Sequence, residues 1–92
     1  GVLQNYSEAV KWYRMAAEQG RAKAQYNLGR LYFQGVGVPQ DYVLAHMWLN
    51  LGAAKGIENA RKNRDFIANE MTPADISEAQ RLAREWLEKH GQ

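Results

Sequence analysis

Apolar residues recur every three or four positions along almost the whole chain, a spacing that places them on one side of an α-helix. The first such stretch predicts a helix over about residues 6–19, with Asn5 as its N-cap and Gly20 as the residue that ends it. The same pattern predicts four more helices, over about residues 22–33, 42–54, 57–70 and 73–89. The sequence therefore predicts an all-α fold of about five antiparallel helices.

Capping residues and glycines mark where these helices begin and end. Asp41 follows a loop that contains Gly35 and Gly37, and it is expected to cap the third helix. The two glycines are expected to supply backbone angles that other residues avoid. Thr72 is expected to cap the fifth helix, with Pro73 at the first helical position.

Gly29 lies in the middle of the second predicted helix, where a glycine is unfavourable. It costs about 1 kcal/mol relative to alanine, because glycine loses more backbone freedom on folding. We therefore expect a neighbouring helix to approach Gly29 too closely for any Cβ atom.

The chain also repeats itself. When residues 1–20 are moved forward by 36 positions, eight of the twenty coincide, including Trp12 with Trp48. The alanine-x-x-tryptophan spacing returns a third time at Trp86, with an offset of 38. Because the tryptophans recur at equivalent positions, we expect all of them to fill the core between layers.

A two-helix unit with a fixed period cannot bury its apolar face alone, so each unit is expected to stack on the next. We predict one domain over residues 1–92. Residues 1–20 would be the second helix of a partial repeat, 21–56 a complete repeat, and 57–92 a divergent carboxyl-terminal capping repeat.

These residues resemble the Sel-one-like repeat, a relative of the tetratricopeptide repeat. The resemblance implies a right-handed α-α superhelix that acts as a non-enzymatic adaptor for other proteins or peptides. The last segment is similar to the carboxyl-terminal end of bacterial members, although Arg64 and Asp65 depart from the repeat pattern. The matching positions are Ala24, Leu28, Gly29, Tyr32, Gly35, Gly37, Val38, Ala45, Trp48, Ala53, Ala54 and Gly56.

Composition narrows the function classes. The 92 residues carry a net charge of only +2, and this does not predict the concentrated basic surface of a nucleic-acid-binding protein. With no cysteine there is no disulfide, thiolate zinc site or cysteine nucleophile. No window of about 18 apolar residues exists, so a soluble chain without membrane insertion is expected. The sequence is compatible with location in the bacterial cytoplasm, in the periplasm or outside the cell.

Residues suited to catalysis or metal binding are few. Ser7 and Ser77 both lie in first helical turns beside glutamates, where serine commonly makes local hydrogen bonds, so a hydrolase is a remote alternative. His46 and His90 have no suitable metal-ligating partner three or four residues away, and each is expected to be an ordinary interface or surface histidine. We predict no catalytic residue, no cofactor and no metal site.

Partner binding is the remaining function. In tetratricopeptide-like arrays the first helix of each pair lines the concave groove, which here corresponds to the second and fourth helices. Asparagine and cationic side chains on such a surface can hold an extended peptide's backbone and a carboxylate. The candidate residues for binding a protein or peptide are Lys23, Asn27, Arg30, Gln34, Asn59, Lys62, Asn63 and Phe66.

Two other roles remain open. The chain could be a structural cap that closes the apolar end of a longer repeat array without binding anything itself. It could also form a homodimer, because the first helix lacks the partner helix that would normally precede it and should expose an apolar face.

Overall fold

The computed structural model describes residues 2–90, and the side chains of residues 5–90. This part of the chain folds into five α-helices and no strand, which confirms the expected all-α class. The ends of the predicted domain, Gly1 and residues 91–92, lie outside the described residues. The helices are α1 (Val2–Glu18), α2 (Ala22–Gln34), α3 (Tyr42–Ala54), α4 (Glu58–Ala68) and α5 (Pro73–His90).

The predicted start of the first helix is wrong. Asn5 does not cap α1, because the helix already begins at Val2 and Asn5 lies within it. An asparagine inside a helix costs well under about 1 kcal/mol, so a cap-forming residue type does not by itself stop a helix. The caps predicted for the later helices are confirmed. The Asp41 side chain accepts a hydrogen bond from the Leu44 amide at 3.0 Å. The Thr72 hydroxyl likewise accepts one from the amide three residues on, at 3.1 Å.

α3 is the centre of the fold. It packs against α2, α4 and α5, whereas α1 packs chiefly against α2 among the described residues. The sequence predicted a single buried stripe on α3, but this helix is buried on most of its surface, since it is apolar almost all round. Its buried residues are Ala45, His46, Met47, Trp48, Leu49, Leu51 and Gly52.

The two helices of the complete repeat, α2 and α3, approach each other closely. A Cβ atom at Gly29 would overlap the Leu49 side chain, which confirms the reason predicted for a glycine at this position. A Cβ atom at Gly52 would lie 3.3 Å from the carbonyl oxygen of Ala22. Both glycines therefore allow the backbones to come near enough to bury the residues between them.

The tryptophans do not share one environment, so the expectation that all of them fill the core is wrong. Trp48 is 6% exposed and meets Trp86 of α5 edge to face, with ring centroids 6.1 Å apart. Trp86 is partly buried against the core, but Trp12 is 65% exposed. Trp48 lies on α3, which packs against three helices, whereas Trp12 lies on α1, which packs chiefly against α2 among the described residues.

The interface between α1 and α2 contains two polar contacts, one of them buried. Gln25 is fully buried, and its Nε2 donates a hydrogen bond to the carbonyl oxygen of Ala17 at 3.2 Å. The Arg14 guanidinium donates to the Tyr32 hydroxyl at 2.6 Å. These bonds hold α1 in place along α2. Residues of α1 form one wall of a cleft between the two helices.

Candidate peptide-binding surface

The candidate surface is centred on the face of α2 that points away from α3. Lys23, Asn27, Arg30 and Gln34 follow one another at spacings of three or four residues, so they share this face. Lys23, Arg30 and Gln34 are exposed, and Asn27 is partly buried. Arg30 and Gln34 line both of the clefts that flank α2, and they are the residues through which the two clefts adjoin.

The first cleft, which we call the aromatic cleft, lies between α2 and α4. Its volume is about 240 Å³. Leu49 of α3 lies between the two helices at its base and is almost completely buried. Apolar side chains and amide groups therefore line one concavity. The lining residues are Arg30, Phe33, Gln34, Leu49, Asn63, Phe66 and Ile67.

Aromatic side chains form one side of this cleft. Phe33 meets Phe66 edge to face, with ring centroids 6.4 Å apart and planes at 84°. The Phe33 ring also packs against the Tyr42 ring, with ring centroids 5.5 Å apart. Phe66 is nevertheless 60% exposed, so its outer face is open to a ligand. An exposed phenylalanine held by a second aromatic ring is a suitable surface for an apolar side chain.

The second cleft, which we call the tyrosine cleft, lies between α1 and α2. Its volume is about 290 Å³. It combines apolar and polar side chains, like the aromatic cleft on the other side of α2. The lining residues are Tyr6, Ala9, Tyr13, Asn27, Arg30, Leu31, Gln34 and Val36.

The predicted binding residues are only partly brought together. Arg30, Gln34, Asn63 and Phe66 line the aromatic cleft. Asn27 lines the tyrosine cleft, and it also borders a shallow recess near Trp12 that includes Lys23. Asn59 and Lys62 are exposed on α4 and line none of these three concavities, so their part in binding stays a prediction.

Sequence reasoning identified Phe66 but missed Phe33 in the aromatic cleft and both tyrosines in the tyrosine cleft. Phe33 lies three residues after Arg30, and that helical spacing already placed it beside the candidate face. Tyr6 and Tyr13 lie within the predicted first helix, and only the position of α1 along α2 shows that they line a cleft. The sequence signal for Phe33 was therefore available, whereas the signal for the tyrosines was not.

The charge on this surface is positive. α2 contains two cations, Lys23 and Arg30, and no acidic residue. Neither cation forms an ion pair with any side chain in the described part of the chain. The Arg30 guanidinium lies 5.5 Å from the centre of the Tyr26 ring. This cation–π contact orients the guanidinium and leaves its charge available.

His46 lies in the interior behind this surface. It is 4% exposed, and its Nδ1 has no hydrogen-bond partner among the described residues. Burial, and secondarily the positive charge of Arg64, lowers the pKa of His46, while Asp65 has a smaller opposing effect. Arg64, which the sequence marked as a departure from the repeat, donates a hydrogen bond to the Asn50 Oδ1 at 2.7 Å. This bond links α4 to α3.

His90 is the last residue of α5. His90 is exposed and stacks on the Trp86 ring, with centroids 4.1 Å apart. Within the described residues, no three acidic or histidine side chains are grouped so that they could share a metal ion. No helix in that part of the chain has the length and hydropathy that crossing a bilayer requires.

The repeat pattern and the helical fold together identify the class of protein. The Sel1 repeat family model matches residues 1–20, 22–57 and 70–89, which is most of the chain. The chain therefore belongs to the Sel1 repeat family.

Comparison with a solved structure supports this assignment at the level of the fold. The chain is similar to a protective antigen of uropathogenic Escherichia coli strains that displays an SLR fold. The TM-score is 0.86 and the sequence identity 32%, over 92% of this chain and 18% of the antigen. The α-α superhelix that the repeat implies is thus confirmed.

Curated relatives are much longer proteins. The chain is 43% identical over 63 residues to chitin synthase regulatory factor 3 of Schizosaccharomyces pombe, covering 67% of this chain and 7% of that protein. It is 39% identical over 61 residues to chitin synthase regulator SKT5 of Malassezia restricta, covering 65% of this chain and 4% of that protein. A sel1-like repeat-containing protein of Acanthamoeba polyphaga mimivirus is 46% identical over 39 residues, covering 42% of this chain and 7% of that protein.

Proposed function

We propose that this chain is a non-enzymatic interaction scaffold and that it binds a peptide segment of another protein across α2. The observation that carries the proposal is the arrangement of two clefts on either side of one helix, joined through Arg30 and Gln34. A surface of this kind offers pockets for side chains together with amide and guanidinium groups for a peptide backbone or carboxylate.

Two further observations support a scaffold. Sel1 repeats stack into a continuous surface, and repeat folds of this kind use that surface for binding. The names of the two fungal relatives describe regulators of an enzyme, which suits a protein that acts by holding a partner. The identity of the partner does not follow from those names.

A peptide-array experiment tests the proposal. The chain is labelled and incubated with an array of diverse peptides, and binders are retested in solution with the double variant Asn27→Ala/Arg30→Ala. We expect the double change to weaken binding by about tenfold or more, because it removes an amide and a charged group from the centre of the surface.

A matched control distinguishes this surface from general stickiness. Gln80 and Arg84 are exposed on α5 and line neither cleft, so Gln80→Ala/Arg84→Ala removes the same kinds of group elsewhere. Binding should survive in the control. Peptides that bind both double variants as well as the unaltered protein would place the binding surface elsewhere, and the proposal would then be wrong.

A structural cap is a second candidate, and the outer faces of α4 and α5 favour it. On α4, Arg61 pairs with Glu58 and Asp65. On α5, Arg81 pairs with Glu78 and Glu85. The hydrogen bonds from the two arginines lower the pKa of Glu58 and Glu78, so these faces stay charged over a wide pH range. A terminal repeat needs a polar outer face of this kind to remain in solution.

The cap has a test of its own. Replacing both arginines, Arg61→Leu/Arg81→Leu, should increase light scattering in concentrated solutions if these faces prevent association. If the double variant scatters light no more than the unaltered protein, the ion pairs have no capping role. An array without any binder, together with increased scattering, would favour the cap over the scaffold.

A further inference from the structure

We infer that the partner is an extended acidic peptide in which a glutamate or aspartate lies between two apolar side chains. The apolar side chains occupy the aromatic and tyrosine clefts, and the carboxylate pairs with Arg30 between them. The inference rests on the proposed function and adds the chemistry of the ligand.

The sizes of the clefts indicate side chains as their occupants. Their volumes are about 240 Å³ and 290 Å³, below the range of pockets that hold drug-sized molecules. The aromatic cleft presents Phe33 and Phe66 above the buried Leu49, an apolar surface for one leucine-like or aromatic side chain. The tyrosine cleft offers Tyr6 and Tyr13 for a second. Two separate small clefts suit two side chains of one chain better than one compact molecule.

The spacing of the clefts indicates an extended backbone. They lie on opposite sides of α2, and a helix with its side chains is about 10 Å wide. A polyproline-like extended chain advances about 3.1 Å per residue and returns to the same face every three residues, so two side chains three positions apart cover that width and point the same way. A helical ligand would advance only about 1.5 Å per residue and would need about seven. We therefore expect the two apolar residues to lie about three positions apart.

The charge between the clefts indicates an acidic ligand. Arg30 lines both clefts, is exposed, and has no carboxylate partner in the described part of the chain. Tyr26 holds its guanidinium through the ring face, which does not neutralise it. Lys23 lies on the same face, and α2 has no acidic residue to repel a carboxylate. Charge complementarity at this point therefore favours glutamate or aspartate in the ligand.

The test uses synthetic peptides with blocked ends, so that terminal charges play no part. Glutamate lies between two leucines that are two, three or four positions apart in a serine-glycine background. Each peptide has two matched controls, one with glutamine for glutamate and one with serine for both leucines. Binding is measured by fluorescence anisotropy at two salt concentrations. We expect the three-position peptide to bind tightest and each control peptide to bind at least about threefold more weakly.

Protein variants assign the two kinds of contact. Arg30→Gln should weaken the glutamate peptide by about 3- to 10-fold, reduce its salt dependence, and leave the glutamine peptide almost unaffected. Arg84→Gln, an exposed arginine outside both clefts, is the matched control. Phe66→Ala should weaken the binding of the glutamate peptide and of the glutamine peptide by a similar factor, because both contain the two leucines. Met15 is also an exposed apolar residue but lines neither cleft, so Met15→Ala should leave the binding of both peptides unchanged.

The results separate this inference from the proposed function. If glutamate and glutamine peptides bind equally, the inference is wrong in its charge. If neither binds, while array peptides do and depend on Asn27 and Arg30, the ligand class is wrong and the scaffold remains. If no array peptide depends on those two residues, both are overturned. Circular dichroism of each variant confirms that it is folded.

Discussion

Gly29 of α2 lies against Leu49 of α3, so that a Cβ atom added at Gly29 would come within 2.8 Å of the Leu49 Cγ and 3.1 Å of the Ala45 carbonyl oxygen. The first of these atoms belongs to a side chain, but the second belongs to backbone, which cannot easily move. This contact sets how closely the two helices of the complete repeat pack.

Gly29→Ala is therefore expected to destabilise the fold, although alanine is the better helix former. The gain in helix propensity is about 1 kcal/mol and overpacking costs about 1–3 kcal/mol, so we expect a net loss of up to about 2 kcal/mol in the free energy of unfolding. Urea denaturation followed by circular dichroism measures this. In the double variant Gly29→Ala/Leu49→Ala the two effects should be strongly non-additive. Unchanged or increased stability of the single variant would show that the contact relaxes.

The tryptophans are expected to differ in their contribution to stability. Trp48→Ala should lower the free energy of unfolding by about 3–5 kcal/mol, because it empties a buried site against Trp86. Trp12→Ala should cost less than about 1 kcal/mol, since its side chain is mostly in solvent. Thermal or urea denaturation of the two variants compares equivalent positions of the repeat. Equal losses would contradict the exposure of Trp12.

His46 should make stability depend on pH. Burial lowers its pKa in the folded state, so the unfolded chain binds a proton first as the pH falls. Stability should therefore be complete above the unfolded pKa of about 6.5 and decline as the pH drops towards 5, by at most about 1.4 kcal/mol per pH unit. The variant His46→Val supplies the residue found at the equivalent position, Val10, which is also buried. The difference between the two denaturation profiles isolates His46 from the carboxylates, and parallel profiles would contradict the prediction.

Self-association through α1 is a further expectation. Trp12 and Met15, three positions apart on one face of α1, are 65% and 55% exposed, and a second copy could cover them. Sedimentation equilibrium at increasing concentration should show the mass approaching twice that of the chain. Trp12→Gln/Met15→Gln should restore the monomer, whereas Phe66→Gln, an equally exposed aromatic on α4, should not. A monomer at all concentrations would rule out this interface.

Much of the fold follows from local signals in the sequence. The bounds of α3 were predicted as Tyr42–Ala54, because Asp41 caps its start and Gly56 follows its end. Gly29 likewise predicted a close approach of a second helix, because a glycine inside a helix is unfavourable unless a neighbour leaves no room for a Cβ atom. Such features can be predicted from the sequence because a backbone conformation or a close contact allows only one or a few residue types.

The parts that could not be predicted depend on which helices meet. The burial of His46 could be predicted only from the packing of three helices around α3, and that of Gln25 only from the packing of α1 on α2. The exposure of Trp12 requires knowing which face of α1 packs on α2. The candidate residues of α2 share one face, as their spacing predicts, but Asn59 and Lys62 could not be separated from Asn63 and Phe66 without the angle at which α4 crosses α2.

The enclosure of α3 by three helices has a consequence for hydrogen exchange. Releasing α3 means breaking its packing with α2, α4 and α5 together, whereas α1 can detach by losing the packing on α2. Amide protons of α3 should exchange only through whole-molecule opening, and those of α1 through a cheaper, partial opening. Because one wall of the tyrosine cleft belongs to α1, a ligand that bridges both clefts would slow exchange in a helix that otherwise opens locally, and this slowing would report occupancy residue by residue.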